Sequence, residues 1–200
     1  MNLKNRIKDI DIFQTIRDLA EIHNIETYVI GGYVRDLIIE RNSNQDIDIV
    51  CLGSGIHLAQ LLKNYLGERS SLTVYKQFGT ACVKYRKLEI EFVGARKESY
   101  RLESRKPIVE EGTLEEDQNR RDFTINTLAI SLNKKDFGEI TDPFGGITDV
   151  DSKSIKTPLN PEETFSDDPL RMLRAVRFAS QLYFDIEPNT FFAIQKMTSR

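Results

Sequence analysis

Apolar positions along this chain change period several times, and each change marks an element. From Ile7 to His23, apolar residues at Ile7, Ile10, Ile12, Phe13, Ile16, Leu19, Ala20 and Ile22 fall mostly at helical spacing, which predicts an amphipathic helix opening the fold. Glu26 to Ile30 reads as a short strand, Gly31-Gly32 as a tight turn, and Val34 to Glu40 as the first turns of a helix with Val34, Leu37 and Ile38 on one side. The run Asp46-Ile47-Asp48-Ile49-Val50 alternates as a strand does, and Gly55 to Leu66 returns to helical spacing. Strand-like runs follow at Leu72 to Tyr75, Thr80 to Tyr85 and Leu88 to Val93. Their short, turn-like connections imply antiparallel neighbours rather than a doubly wound parallel sheet. Arg96 to Asp117 is polar with little periodicity and reads as a mobile surface loop. After it, Arg121, Asp122 and Asn126 are expected to stay polar at a helix start while Phe123, Leu128 and Ile130 pack. Asp142-Pro143-Phe144-Gly145-Gly146 is turn-rich and is expected to pack the end of the sheet onto a short helix. A last helix is predicted after Ser166 or Asp167 as cap and Pro169 in its first turn, with Leu170, Leu173, Val176 and Phe178 as its apolar side.

Composition narrows this picture only a little. With 200 residues, 40% of them hydrophobic and 30% charged, the chain can bury one good core and begin a second. Two cysteines, Cys51 and Cys82, both in apolar strand-like runs, read as small buried residues in a reducing compartment. No apolar run is long enough to span a membrane and the N-terminus lacks an apolar segment, so a soluble cytoplasmic protein is expected. A net charge of −3 argues against non-specific coating of nucleic acid but permits a local basic groove. Oligomeric state is not legible.

The chemistry concentrates in a few places. Asp46 and Asp48 point the same way from their strand, and two close carboxylates repel unless a cation joins them. Hard oxygen ligands suit Mg²⁺, usually held by one or two carboxylates plus substrate phosphates. Alone, such a pair could equally be the solvated face of an edge strand. Upstream, the glycines Gly31 and Gly32 opening a helix let backbone N–H groups approach an anion, and Arg35 adds a positive fork suited to phosphate. Glu91, alternating with Ile90 and Phe92, could supply a third carboxylate if its strand lies beside the acidic one; a solvent-facing strand edge is the alternative. Arg120-Arg121 could hold triphosphate or ribose groups, or form a surface salt-bridge cluster. Asp168, Arg171, Arg174 and Arg177 recur every three residues as a winding polar stripe. Three arginines and no lysine there favour planar recognition over mere solubility.

Taken in order, Gly-Gly-Tyr-Val-Arg-Asp from Gly31, the Asp46-Ile47-Asp48 pair, Arg-Arg-Asp-Phe-Thr-Ile-Asn from Arg120, Asp-Pro-Phe-Gly-Gly from Asp142 and Asp-Asp-Pro-Leu-Arg-Met-Leu-Arg-Ala-Val-Arg-Phe from Asp167 resemble the motifs of class II tRNA nucleotidyltransferases. These are the CCA-adding enzymes, grouped with bacterial poly(A) polymerases in the polymerase β superfamily. The resemblance implies an α/β (α+β) fold: a polymerase β-like nucleotidyltransferase head (palm) over residues 1–157 with a mixed or antiparallel sheet, followed at 158–200 by the start of an all-helical neck in which the chain stops. It assigns Asp46 and Asp48 to Mg²⁺, Gly31, Gly32 and Arg35 to the triphosphate, and Arg121, Asp122 and Asn126 to the nucleotide. Asp168 and Arg171 would read the base, with Arg174 and Arg177 in support. Relatives often carry Glu where Asp167 stands. The implied activity is CCA addition to tRNA 3′ ends from CTP and ATP. Poly(A) polymerases carry a Gly-Arg-Arg-Phe-x-x-x-His-Val type segment that Tyr75 to Val83 lacks, which favours tRNA as substrate; CC-only or A-only addition stays open. A non-catalytic nucleotide-binding module is the reading from another class, and intact Asp46 and Asp48 speak against it.

Overall fold

The computed structural model describes residues 1–41, 46–101 and 104–198. A one-turn helix α1 (Lys4–Ile7) and helix α2 (Asp11–Ile22) lead into strand β1 (Glu26–Ile30), helix α3 (Gly32–Ile38), strand β2 (Asp46–Leu52) and helix α4 (Gly55–Leu66). Strands β3 (Ser70–Tyr75), β4 (Thr80–Tyr85) and β5 (Leu88–Gly94) follow, then a hairpin of β6 (Arg96–Arg101) and β7 (Ser104–Glu111), helix α5 (Leu114–Asn119) and strand β8 (Ala129–Ser131). The remainder is β9 (Ile140–Thr141), α6 (Gly146–Asp151), β10 (Ser154–Ile155), α7 (Pro161–Asp167), α8 (Leu170–Leu182), β11 (Asp185–Ile186) and α9 (Pro188–Met197).

Among the described residues, one mixed sheet runs in the order β3-β4-β5-β2-β1-β8-β9. Its neighbours are antiparallel except β2 and β5, which run parallel with Asp48 opposite Glu91. The alternation of β2 and β5 decides what each face becomes. Ile47, Ile49, Ile90 and Phe92 point into the core beneath α2 and α4, while Asp46, Asp48, Glu89 and Glu91 share the opposite face.

Several sequence expectations are corrected. The opening helix is broken between Ile7 and Asp11, where Ile10 takes an extended conformation. Unbroken, the helix would turn Ile7 away from the face that buries Phe13, Ile16 and Ala20; the break lets all four reach the core. The stretch expected as a loop after Arg96 is the β6–β7 hairpin followed by α5, with residues 102 and 103 outside the described set. Helix α5 starts on a reciprocal capping box, in which the Thr113 hydroxyl accepts from the Glu116 N–H and the Thr113 N–H donates to the Glu116 carboxylate. No helix opens at Arg121. A single 3₁₀ turn, Thr124–Asn126, leads into β8 beside β1, because Leu128, Ile130 and Leu132 alternate and are all fully buried.

Ser166 and Asp167 end α7 instead of capping α8, whose first turn follows Pro169. The apolar side of α8 is also corrected. Leu170, Leu173 and Val176 are exposed, whereas Arg171, Ala175, Phe178 and Leu182 are buried. This rotation buries Arg171 and brings Arg174 onto Asp122. The expected short helix after Asp142 is α6, whose first two N–H groups, those of Gly146 and Ile147, donate to the Asp142 carboxylate.

Candidate active site

The site begins where β1 ends. Gly31 has φ +81°, a conformation that favours glycine, and its N–H donates to the Leu128 carbonyl at 3.1 Å. A methyl group there would stand 3.3 Å from an Arg121 guanidinium nitrogen and 3.4 Å from the Asp48 carboxylate. Glycine therefore leaves the gap through which the acidic strand and Arg121 face one another. Burial pushes the Asp48 carboxyl above its usual range; Arg121 opposes this, and the charges of Asp46 and Asp117 add to it. Glu91 is raised in the same sense by burial and by Asp48, against Arg96 and a hydrogen bond from Thr80.

Opposite the glycines, α5 supplies the fully buried carboxylate of Asp117. One of its oxygens takes two bonds from Arg120, at 2.9 and 2.6 Å, and the other takes two from Arg121, at 3.2 and 3.0 Å. Burial works against this charge, but the two guanidinium groups hold the carboxyl below its usual range.

A second network crosses from α3 to α8. Buried Arg35 pairs with Asp36 at 2.8 Å and donates to the Asn126 side-chain oxygen at 2.7 Å. Asn126 donates in turn to Asp122, whose other oxygen receives Arg174 at 2.6 Å. The Phe178 ring lies under three guanidinium groups, with Arg177, Arg174 and Arg35 at 4.8, 5.2 and 5.4 Å from its centre. Arg171 donates to the Arg120 carbonyl at 2.7 Å and to the Thr164 carbonyl at 3.4 Å, while Asp168 accepts from the Leu170 N–H at 3.1 Å.

These groups enclose an open cleft of about 570 Å³. Gly31, Gly32, Arg35, Asp48, Arg121, Asp122, Asn126, Asp168, Arg171 and Arg174, all singled out from the sequence, line it. Asp46 and Glu91 do not line it; they sit beside Asp48 on the same sheet face, one two residues along β2 and the other opposite in register. Arg177 is also absent from the wall, its guanidinium lying over Phe178. Among the described residues, no three His, Cys, Asp or Glu side chains come close enough to form a complete metal-binding group. Two hard carboxylates on one face, with their charge crowded, are nonetheless the donor set that suits a divalent ion completed by substrate phosphates.

The sequence profile of the "Poly A polymerase head domain" family matches residues 27–156. The chain belongs to this family. The chain is 42% identical over 166 residues to the A-adding tRNA nucleotidyltransferase of Aquifex aeolicus, covering 83% of this chain and 20% of that one. A solved structure titled as a CCA-adding enzyme, apo form II, superposes with a TM-score of 0.88 at 35% identity, covering all of this chain and 47% of that one. Another, a tRNA nucleotidyltransferase complexed with a primer tRNA and an incoming ATP analog, gives a TM-score of 0.79 at 36% identity over 92% of this chain and 50% of that one. The chain thus spans half or less of the length of these relatives, which place its poly A polymerase head among the class II tRNA nucleotidyltransferases. Nucleotidyltransferases of this family generally use divalent metal ions.

Three residues of this site escaped sequence reasoning. Arg96 and Phe178 line the cleft, beside Arg120, which was read with Arg121 as a candidate pair for triphosphate or ribose groups. Asp117 anchors both arginines from below. The Thr113-x-x-Glu116 capping box was a usable signal for α5, and an acidic residue three and four positions before an arginine pair was a usable signal for Asp117.

Proposed function

We propose that this chain is the catalytic part of a template-independent nucleotidyltransferase that adds CCA to tRNA 3′ ends from CTP and ATP. The observation that carries the reading is that Asp48, Arg121 and the Asp168–Arg171 pair, contributed by β2, the segment after α5 and the start of α8, all line one cleft. In this reading the Arg121 end contacts phosphate and the Asp168–Arg171 end contacts the base. The similar structure solved with a primer tRNA and an ATP analog supports the same substrate pair.

In this reading Asp46 and Asp48, with Glu91 beside them, would hold Mg²⁺, which would supply activation of the RNA 3′-hydroxyl and charge stabilisation for the departing pyrophosphate. Gly31 and Gly32 leave room for the triphosphate, and Arg35 and Arg121 neutralise it. Asp122 and Asn126 orient Arg174 and Arg35. Cytosine and adenine each present an amino donor next to a ring acceptor, which a carboxylate and a guanidinium complement. Uracil and guanine present the reverse order and would bury unpaired groups at ~1–3 kcal/mol each. Asp168 and Arg171 therefore select CTP and ATP, with Arg174 and Arg177 stiffening that wall through Phe178.

Addition of the terminal A alone is a second reading, favoured by the name of the Aquifex relative. Both cysteines are free, as in a reducing compartment, and no described helix is long and apolar enough to cross a membrane; the cytoplasm is the proposed location. Incubating the full-length protein with Mg²⁺, each labelled NTP in turn and a tRNA lacking its terminus tests the reading. Incorporation from CTP and ATP, or from ATP alone after a CC end, is expected. Nucleotide binding without product would return the non-catalytic module.

A further inference from the structure

Asp117 is wholly buried and contributes nothing to the wall of the cleft, yet both halves of that wall hang from it. Its second oxygen fixes Arg121, the guanidinium that faces Asp48 across Gly31. Its first oxygen fixes Arg120, and the Arg120 backbone carbonyl is in turn the acceptor for Arg171 at 2.7 Å. We propose that Asp117 is a positioning residue that ties the phosphate-binding and base-reading ends of the nucleotide site together, so that one buried carboxylate sets both nucleotide affinity and base selection. This rests on the nucleotidyltransferase reading of the cleft.

Three features make the tie stiff. Helix α5 is short but begins on its capping box, so Asp117 projects from a fixed first turn. The adjacent Gln118, also wholly buried, donates to the Thr127 carbonyl at 2.7 Å and the Thr141 carbonyl at 3.2 Å, pinning the end of α5 to the sheet. Lastly, a carboxylate bound by two guanidinium groups has no low-energy alternative, because any other rotamer strands a charge out of water. Arg120 and Arg121 are consecutive and follow Asp117 at three and four positions, so one oxygen serves each without strain. The arginine side chains keep 16% of their surface exposed and can be solvated if the carboxylate is lost, so removing the tie loosens them without unfolding the head.

The test compares the full-length protein with Asp117→Asn and Asp117→Glu, and with Ile130→Val as a control that lowers stability from the core alone. Asn keeps the shape but cannot serve both guanidinium groups as a charged acceptor. The expected result for Asp117→Asn is a rise of about tenfold in KM for CTP and ATP and a rise of about tenfold in UTP and GTP incorporation relative to CTP and ATP. Asp117→Glu should recover part of both, and Ile130→Val should change neither. Wild-type selectivity and KM in Asp117→Asn, or an equal change in Ile130→Val, would overturn the proposal. Direct binding of a fluorescent CTP in the same samples separates the two readings. If the wild type extends no RNA, the transferase reading fails, and Asp117 then stands or falls on whether Asp117→Asn weakens CTP binding about tenfold.

Discussion

At the scale of single residues, the site sets stability against function. Asp48 is a half-buried carboxylate with its pKa raised, so its charge destabilises the metal-free fold at neutral pH. Asp48→Asn should therefore abolish nucleotide transfer while raising the melting temperature of the metal-free protein by about 2–4 °C, the equivalent of roughly 1 kcal/mol in a chain of this size. Calorimetry beside an extension assay checks both signs; a stable, active variant would remove Asp48 from the chemistry. Gly31→Ala should fail on two counts, the left-handed backbone and the 3.3–3.4 Å approach to Arg121 and Asp48, with a stability loss of about 1–3 kcal/mol in denaturant titration. Arg171→Ala removes the guanidinium that donates to the Arg120 carbonyl and that the proposed function assigns to the base. Discrimination against UTP and GTP should then fall about tenfold or more in competition assays.

Among the elements, α8 shows best what the sequence carried and what it withheld. Its arginine row was legible, because residues three apart share a helix face and four charged groups at that spacing announce a function. Its orientation was not. Leu170, Leu173 and Val176 repeat with the same period as the arginines, so periodicity names two stripes without saying which one faces the molecule. The cleft decided it: Arg171 and Arg174 find Asp122 and backbone carbonyls there, which leaves Leu173 68% exposed. Leu173→Lys is thus expected to leave stability within about 0.5 kcal/mol, whereas Ala175→Asp on the buried side should cost several kcal/mol. Thermal melts of the two variants give the comparison. Strands β2 to β5 were legible almost residue for residue because clean alternation admits one assignment. The β6–β7 hairpin was not, since charged residues at consecutive positions, such as Arg96-Lys97 and Glu110-Glu111, erase the period, and β8 was missed because polar residues before it resembled a helix start. In the site, most residues that touch the cleft were named from chemistry, Arg96 and Phe178 being the exceptions. Asp117 was not, because a residue that acts through its neighbours carries no chemical signature of its own.

Across the whole molecule, the carboxylates make stability depend on pH. Asp48 and Glu91 have raised native pKa values, so the stability of the metal-free protein falls as pH rises from the ordinary carboxylate range through their native values. Asp117, with a lowered native pKa, acts in reverse: its contribution is complete above the ordinary range and is lost as pH falls through its native value. Mg²⁺ should bind the charged forms of Asp46 and Asp48 and raise the melting temperature at pH 7 by about 3–5 °C at roughly ten times its Kd. That gain should shrink as pH falls and protons compete for the same oxygens. Melting curves at several pH values with and without Mg²⁺ check it, and a gain that persists in acid would place the ion elsewhere. The measurement that tests the account most directly is sequencing of the 3′ ends left on a truncated tRNA by the full-length protein given all four NTPs and Mg²⁺. The expected ends are CCA, or a single A after CC, and none with Asp48→Asn. Ends carrying U or G as often as C or A, or unchanged by Asp48→Asn, would contradict it.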